Sequence, residues 1–246
     1  MVEGTKVLEV ALGASAEVEA LFVAPHGRTN PAVAALQERV EARGARVFAL
    51  AEGVIERVAD AVTPQPVVAI VRAPLVSLDD VLSGSLVVVC VDVRDPGNVG
   101  TIIRTAASAG AGGVVCCDGT ADPTAPKCVR ASAGALFQVP VVAGGAAQDV
   151  LTRLGAAGLR LWGTRAHDGQ PLWDADLRDR CAFVLGNEST GLPEPLSGSL
   201  DGMVTIPMPG ATESLNVSVA TGILCFEAAR QRRRKTAVPH ADGGAP

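Results

Sequence analysis

The chain has 246 residues, a net charge of −5 and 48% hydrophobic residues against 19% charged. This composition excludes a disordered or collagen-like polymer and leaves room for one large domain or two smaller ones. Aromatic residues are only 3% of the chain, with no Tyr, so any core must be built from Val, Leu, Ile and Ala. An acidic balance with a pI near 5.3 argues against coating nucleic acid by bulk electrostatics, although a local basic patch is compatible with it.

The six cysteines lie in a long chain with no secretory signal in front of them, which predicts reduced, mostly buried thiols. No two cysteines have the C-x-x-C spacing, and His26, His167 and His240 lie far from one another and from any cysteine pair, so no metal is expected. The longest apolar run, Leu86 to Val91, stops at Asp92, far short of the roughly 20 residues that span a bilayer. A soluble, cytoplasmic protein is expected.

In chain order, Val18–Val23 reads as a strand ending at Pro25, and Pro31–Arg43 as a helix with Val33, Leu36 and Val40 inward and Gly44 as its stop. Arg46–Leu50 reads as a strand, 54–62 as a helix and Val67–Val71 as a buried strand, giving a small α/β domain over 1–72. The first helix starts almost at once after Met1, which leads us to expect either a short front domain or a misplaced start site. Residues 73–85, with two adjacent Asp and Ser-Gly-Ser, read as a connection.

Continuous apolar strands follow over 86–91, 113–117, 139–142, 159–163 and 181–185, with helical segments between several of them. Such runs predict a largely parallel sheet covered on both faces, whose ligands sit beyond the strands' C-terminal ends. This second unit extends over 86–235, and 236–246 reads as a flexible tail. Just before it, Arg230, Arg232, Arg233, Arg234 and Lys235 concentrate positive charge at the end of the last helix.

The familiar nucleotide and hydrolase signatures, G-x-G-x-x-G, the P-loop and G-x-S-x-G, are missing. In their place stand three polar, Gly/Pro-rich segments after apolar strands. The first, Asp92 to Ala106, contains a helix start at Asp95-Pro96, a buried stripe of Ile102, Ile103, Ala106 and Ala107, and Asn98 and Arg104 off that stripe. An Asn and an Arg beside a helix N-terminus suit a phosphate and a sugar. The second, Phe183 to Pro193, puts Gly186 directly after a strand and Glu188 where a carboxylate can accept from a ribose or an amine. The third, Ile206 to Val217, leads into a helix, and Ser214 and Asn216 are both candidate caps. Taken singly, each segment is as compatible with a solvated helix residue, a turn or a cap as with a site.

Together and in this order the three segments resemble the signature motifs of the SpoU-type (TrmH) branch of the SPOUT superfamily, RNA 2′-O-ribose methyltransferases that use S-adenosylmethionine. The run Ser214-Leu-Asn-Val-Ser-Val-Ala-Thr-Gly222 carries the resemblance most specifically, and Arg130-Ala-Ser-Ala-Gly134 adds to it. It covers Leu86 to Arg234, while the first seventy residues resemble, less strongly, the ribosomal-protein-like substrate-binding domain found in front of many members. The resemblance implies a parallel sheet with a C-terminal trefoil knot, a homodimer packed through the catalytic domain, and S-adenosylmethionine held by Thr164, Leu185, Gly186, Ile206, Met208 and Leu215. It also implies a catalytic cluster of Asn98, Arg104, Glu188, Ser214 and Asn216. Arg104, Arg130, Arg232, Arg233 and Arg234 would contact RNA, ribosomal (23S foremost) or transfer. Two readings from other classes compete with it: a non-catalytic RNA-binding or ribosome-associated module, and an unrelated α/β enzyme acting on a small phosphorylated substrate.

Overall fold

Two runs of Val-rich strands, one at each end of the chain, form two sheets. They are seen in a computed structural model that describes residues 1–59 and 64–236, with side chains through Arg233. The first sheet has the order β1-β4-β2-β3, built from β1 (Val2–Glu3), β2 (Val18–Val23), β3 (Arg46–Ala49) and β4 (Val67–Val71). Strands β2 and β3 run parallel, and β4 lies antiparallel to β1 and β2. Helices α1 (Thr5–Gly13) and α2 (Pro31–Glu41) bury Leu8, Leu12, Val33, Leu36 and Val40. Asn30 caps α2 by accepting from the Ala32 N–H, with Pro31 pre-setting the first turn.

The helix expected over 54–62 is only α3, Ile55–Val58, and Ala59 is already extended. Of its four residues only Ile55 is buried, so the apolar stripe that would carry a longer helix gives out. The rest of that expected span lies largely outside the described residues.

The second sheet is parallel throughout, in the order β7-β6-β5-β10-β8-β11-β9. Its strands are β5 (Leu86–Cys90), β6 (Gly113–Cys116), β7 (Val141–Ala143), β8 (Arg160–Thr164), β9 (Gln170–Pro171), β10 (Cys181–Leu185) and β11 (Gly202–Thr205). Helices α4 (Pro96–Ser108), α5 (Pro126–Ser132), α6 (Ala147–Ala156) and α7 (Val217–Thr236) complete the unit. Alternation along β5 divides two cores. Leu86, Val88 and Cys90 join Ile102, Ile103 and Leu224, while Val87 and Val89 join Val150, Leu151 and Leu154 of α6. Continuous apolar strands are thus covered on both faces, as the sequence requires. Strand β7 begins after Pro140, which lacks an N–H and contributes only its carbonyl to Val114.

Residues 73–85 are more than a connection. Leu75 bridges Val141, and a turn of 3₁₀-helix at Leu78–Val81, closed by Ser77 and Asp80, buries Val81 against the second sheet. The turn after α5 also approaches α1 closely at Gly134 (φ +92°), where a Cβ would lie 2.9 Å from that of Val10. That contact gives a physical reason for the glycine in the Arg130–Gly134 segment. All six cysteines are free and buried, and burial pushes the Cys117, Cys128 and Cys225 thiols up to about 12. Among the described residues no helix is long and apolar enough to cross a membrane.

Candidate active site

In the second sheet, chain order runs outward from β5 through β6 to β7, and β10, β8 and β11 lie on β5's other side. The crevice at the C-terminal ends of these strands is where an open α/β sheet binds its ligands. Three loops converge there.

The first follows β5. Asp92 sits at φ +56°. Its carboxylate accepts from Arg94 Nε and Nη2 at 2.9 and 3.1 Å. Asp95 caps α4 through the Gly97 N–H and pairs with Lys127 at 3.0 Å. Hydrogen bonding to Lys127 and the cap itself hold the Asp95 carboxyl below its ordinary range. The cap fixes the first turn of α4, and with it Asn98.

The second loop follows β10. Asn187 and Gly191 exchange backbone hydrogen bonds of 3.1 and 2.9 Å, and Asn187 Oδ1 accepts from the Ser189 and Thr190 N–H groups. Asn187 Nδ2 donates to the Asp92 carbonyl at 2.9 Å, tying this loop to the first. The third loop follows β11 and ends at Asn216, whose Oδ1 accepts from the Ser218 N–H at 2.9 Å and the Ser218 hydroxyl at 2.6 Å. Asn216 therefore caps α7, and Ser214 stands two residues ahead of it.

Side chains from all three loops then join. Asn98 Nδ2 donates to Glu188 Oε1 at 2.9 Å, and Asn216 Nδ2 donates to Asn98 Oδ1 at 3.0 Å. The chain Asn216–Asn98–Glu188 orients both amides without ambiguity, because each amide nitrogen has an oxygen opposite it. Beside this chain lies a cavity of about 660 Å³. Thr164, Leu185, Gly186, Ile206, Met208 and Leu215 all line it, as do Glu188, Ser214 and Asn216. Arg165, His167 and Glu213 line it too, and sequence reasoning missed them. The signals were there, since Arg165 and His167 follow the end of β8 and Glu213 is the only charge between Ile206 and Val217.

The arginines are placed differently. Arg104 is exposed on α4, six residues beyond Asn98, and its guanidinium makes no hydrogen bond or ion pair among the described residues. Arg130 lines a small crevice with Met1, Glu3 and Val7, at the junction with the first sheet and away from the cavity. Arg232, expected at the RNA, is occupied by the fold: Nε donates to the Leu177 carbonyl at 3.1 Å and Nη2 to that of Asp179 at 2.9 Å. Arg230 is likewise paired with Glu227. Two members of the charge run, Arg230 and Arg232, thus reach back to a carboxylate and to carbonyls that need donors. Arg233 is exposed, and the Arg234 side chain lies outside the described residues.

A cavity of this size matches a cofactor rather than an ion. Its apolar wall (Leu185, Val204, Ile206, Met208, Leu224) suits a flat base, and the Glu188 and Glu213 carboxylates suit a cationic group. These residues fit S-adenosylmethionine, which carries an adenine and a sulfonium. Among the described residues no group of three His, Cys, Asp or Glu is placed to hold a metal ion.

A parallel sheet with a cofactor-sized cavity at the C-terminal ends of β10, β8 and β11, three interlocked loops and a small front domain fit a group-transfer enzyme with a separate substrate-binding unit. The model of the SpoU rRNA methylase family matches residues 85–226, and that of the MRM3-like substrate binding domain matches residues 1–69. The chain belongs to the SpoU rRNA methylase family. It is 33% identical over 227 residues to the 23S rRNA (guanosine(2553)-2′-O)-methyltransferase RlmP of Bacillus subtilis, covering 92% of this chain and 86% of that one. The AdoMet-bound rRNA methyltransferase of Sinorhizobium meliloti superposes with a TM-score of 0.83 at 33% identity, over 93% of this chain and 86% of that one. The SpoU methyltransferase AviRb of Streptomyces viridochromogenes, in complex with AdoMet, superposes with a TM-score of 0.84 at 30% identity, over 94% and 89%.

Proposed function

We propose that this protein transfers a methyl group from S-adenosylmethionine to a ribose 2′-hydroxyl of RNA, 23S ribosomal RNA before transfer RNA, and that it works in the cytoplasm. The observation that carries the reading is the hydrogen-bond chain from Glu188 through Asn98 to Asn216, which locks together three loops from distant parts of the chain, two of them lining one cofactor-sized cavity. A non-catalytic RNA-binding module would have no need to hold these three loops in one register.

S-adenosylmethionine, when bound, supplies a methyl group on a cationic sulfur that becomes neutral as the methyl leaves, so no metal is needed to assist departure. The residues that would hold it are Leu185, Ile206, Met208 and Leu215, with the backbone after Gly186 and, at the edge, Thr164. The chain's own task is the weak nucleophile. Asn98, Ser214 and Asn216 position the ribose, and Arg104 grips the neighbouring phosphate and offsets the negative charge growing on the 2′-oxygen. A guanidinium is a poor base, so this is a charge role. Glu188 has one oxygen engaged by Asn98 and organises its loop, and the hydroxyl proton passes to water.

The test is transfer of radiolabelled methyl from the donor to ribosomal RNA, followed by alkaline hydrolysis. Label in alkali-resistant dinucleotides supports ribose methylation. Label released as mononucleotides, or no incorporation with the donor bound, contradicts it.

Two further parts of this reading concern the chain's architecture. The C-terminal crossing, in which β11 pairs outside β8 while α7 packs on α4, supports the knotted topology. The homodimer is supported by the stripe Val219, Ile223 and Phe226 on α7, of which Val219 and Phe226 are each 52% exposed. Sedimentation should give twice the 25.0 kDa chain mass, and Phe226→Glu should halve it. A wild-type monomer at micromolar concentration would contradict the pairing.

A further inference from the structure

In the first sheet, β3 is the outer strand, and its register sets Phe48 opposite Phe22 and Arg46 opposite Ala20, which in turn faces Ile70 on β4. Alternation sends Val47, Leu21 and Ala69 into the core on the helix-covered side. Phe22, Phe48, Arg46 and Ile70 therefore share the opposite face. Among the described residues, Ile55, Leu50 and Met1 cover that face at its Val68 end. Beyond that end the face is open among the described residues, with Phe48 42% and Ile70 39% exposed.

The two rings are stacked, with centroids 5.3 Å apart and planes inclined by 17°. The Arg46 guanidinium lies 5.8 Å from the Phe48 centroid. A single exposed apolar side chain needs no explanation. A stacked pair does here, because the chain has only five Phe, two Trp and no Tyr. Burying these rings would gain more than leaving them on a wet sheet surface.

We propose that this face is a stacking platform for an unpaired base of the RNA substrate, with Phe48 under the base and Arg46 beside it for the adjoining phosphate. Flat rings with a flanking guanidinium are what single-stranded nucleic acid requires, and every base offers a π-face to them. Charge at the rings favours the same occupant, since the side chain beside Phe48 on this face is the Arg46 guanidinium. The open apolar area, two rings and one Ile, is small for a stable protein contact. The proposal rests on the reading of RNA as substrate, and it places a second contact on the front domain, away from the cavity.

The experiment compares wild type, Phe48→Ala, Phe48→Trp and Arg46→Gln for binding of fluorescently labelled short oligoadenylate, oligouridylate and duplex RNA, with donor binding followed by calorimetry on the same samples. Phe48→Ala should weaken oligoadenylate binding about fivefold to a hundredfold, Phe48→Trp should restore it, and duplex and donor binding should not change. Arg46→Gln should lower the salt slope by about one charge. Unchanged oligoadenylate affinity in a folded Phe48→Ala variant overturns the proposal, as does an equal loss for duplex and single strand, or a change in sedimentation without a change in RNA binding. A wild-type protein that binds oligoadenylate in a Phe48-dependent way but neither binds donor nor transfers methyl would leave the platform standing and remove the methyltransferase reading.

Discussion

Gly186→Ala is expected to abolish methyl transfer and to weaken S-adenosylmethionine binding by about a hundredfold or more, while the parallel sheet stays folded. A Cβ at this position would lie 2.3 Å from the Gly191 carbonyl carbon, 2.5 Å from its oxygen and 2.5 Å from the Leu192 nitrogen. All three are backbone atoms, so no side-chain rotation can make room. Relief must come from pushing residues 186 and 191 apart, which breaks the Asn187–Gly191 hydrogen-bond pair and releases Glu188 from Asn98. Overpacking of this kind typically costs about 1–3 kcal/mol, a loss that a domain of this size survives. Gly198→Ala is the control, because a Cβ there meets nothing within 4 Å and should leave activity unchanged. Wild-type donor affinity in Gly186→Ala, measured by calorimetry, would show that the loop after β10 is not part of the donor site.

Much of the scaffold was legible in the sequence, for a physical reason. Strands buried on both faces must be apolar at every position, and Leu86–Cys90 and Cys181–Leu185 are. Asp95-Pro96 announced the start of α4 because a cap acceptor followed by a pre-set φ is a local signal. Elements stabilised from afar were not legible. Residues 78–81 look polar apart from Leu78 and Val81, yet Val81 is wholly buried against a sheet whose strands come later in the chain. Strand β9 is two exposed residues, too short for any periodicity.

The site divides in the same way. Residue types at strand ends pointed to the three loops, but Asn98 meets Glu188 across 90 positions and Asn216 across 118, contacts that only the folded sheet creates. Spacing could not tell the free guanidinium from the occupied ones either. Arg104 and Arg232 both stand in helical segments, and only tertiary packing brings the Leu177 and Asp179 carbonyls to Arg232.

The proposed mechanism turns on Arg104, with transfer accelerated by charge and position and no side-chain base. Arg104→Ala should slow methyl transfer by about a hundredfold to a thousandfold, the loss typical when one donor to a developing oxyanion is removed. Arg104→Lys keeps the charge and loses the two-pronged grip on phosphate, so it should recover part of that loss and remain about tenfold or more below wild type. Neither change should alter donor affinity, since Arg104 is not on the cavity wall. The deciding measurement is the single-turnover rate of labelled methyl transfer to ribosomal RNA by wild type, Arg104→Lys and Arg104→Ala, with enzyme and donor saturating. The rates are expected to fall in that order, from fastest to slowest, and a wild-type rate in either variant would contradict the proposed role of Arg104.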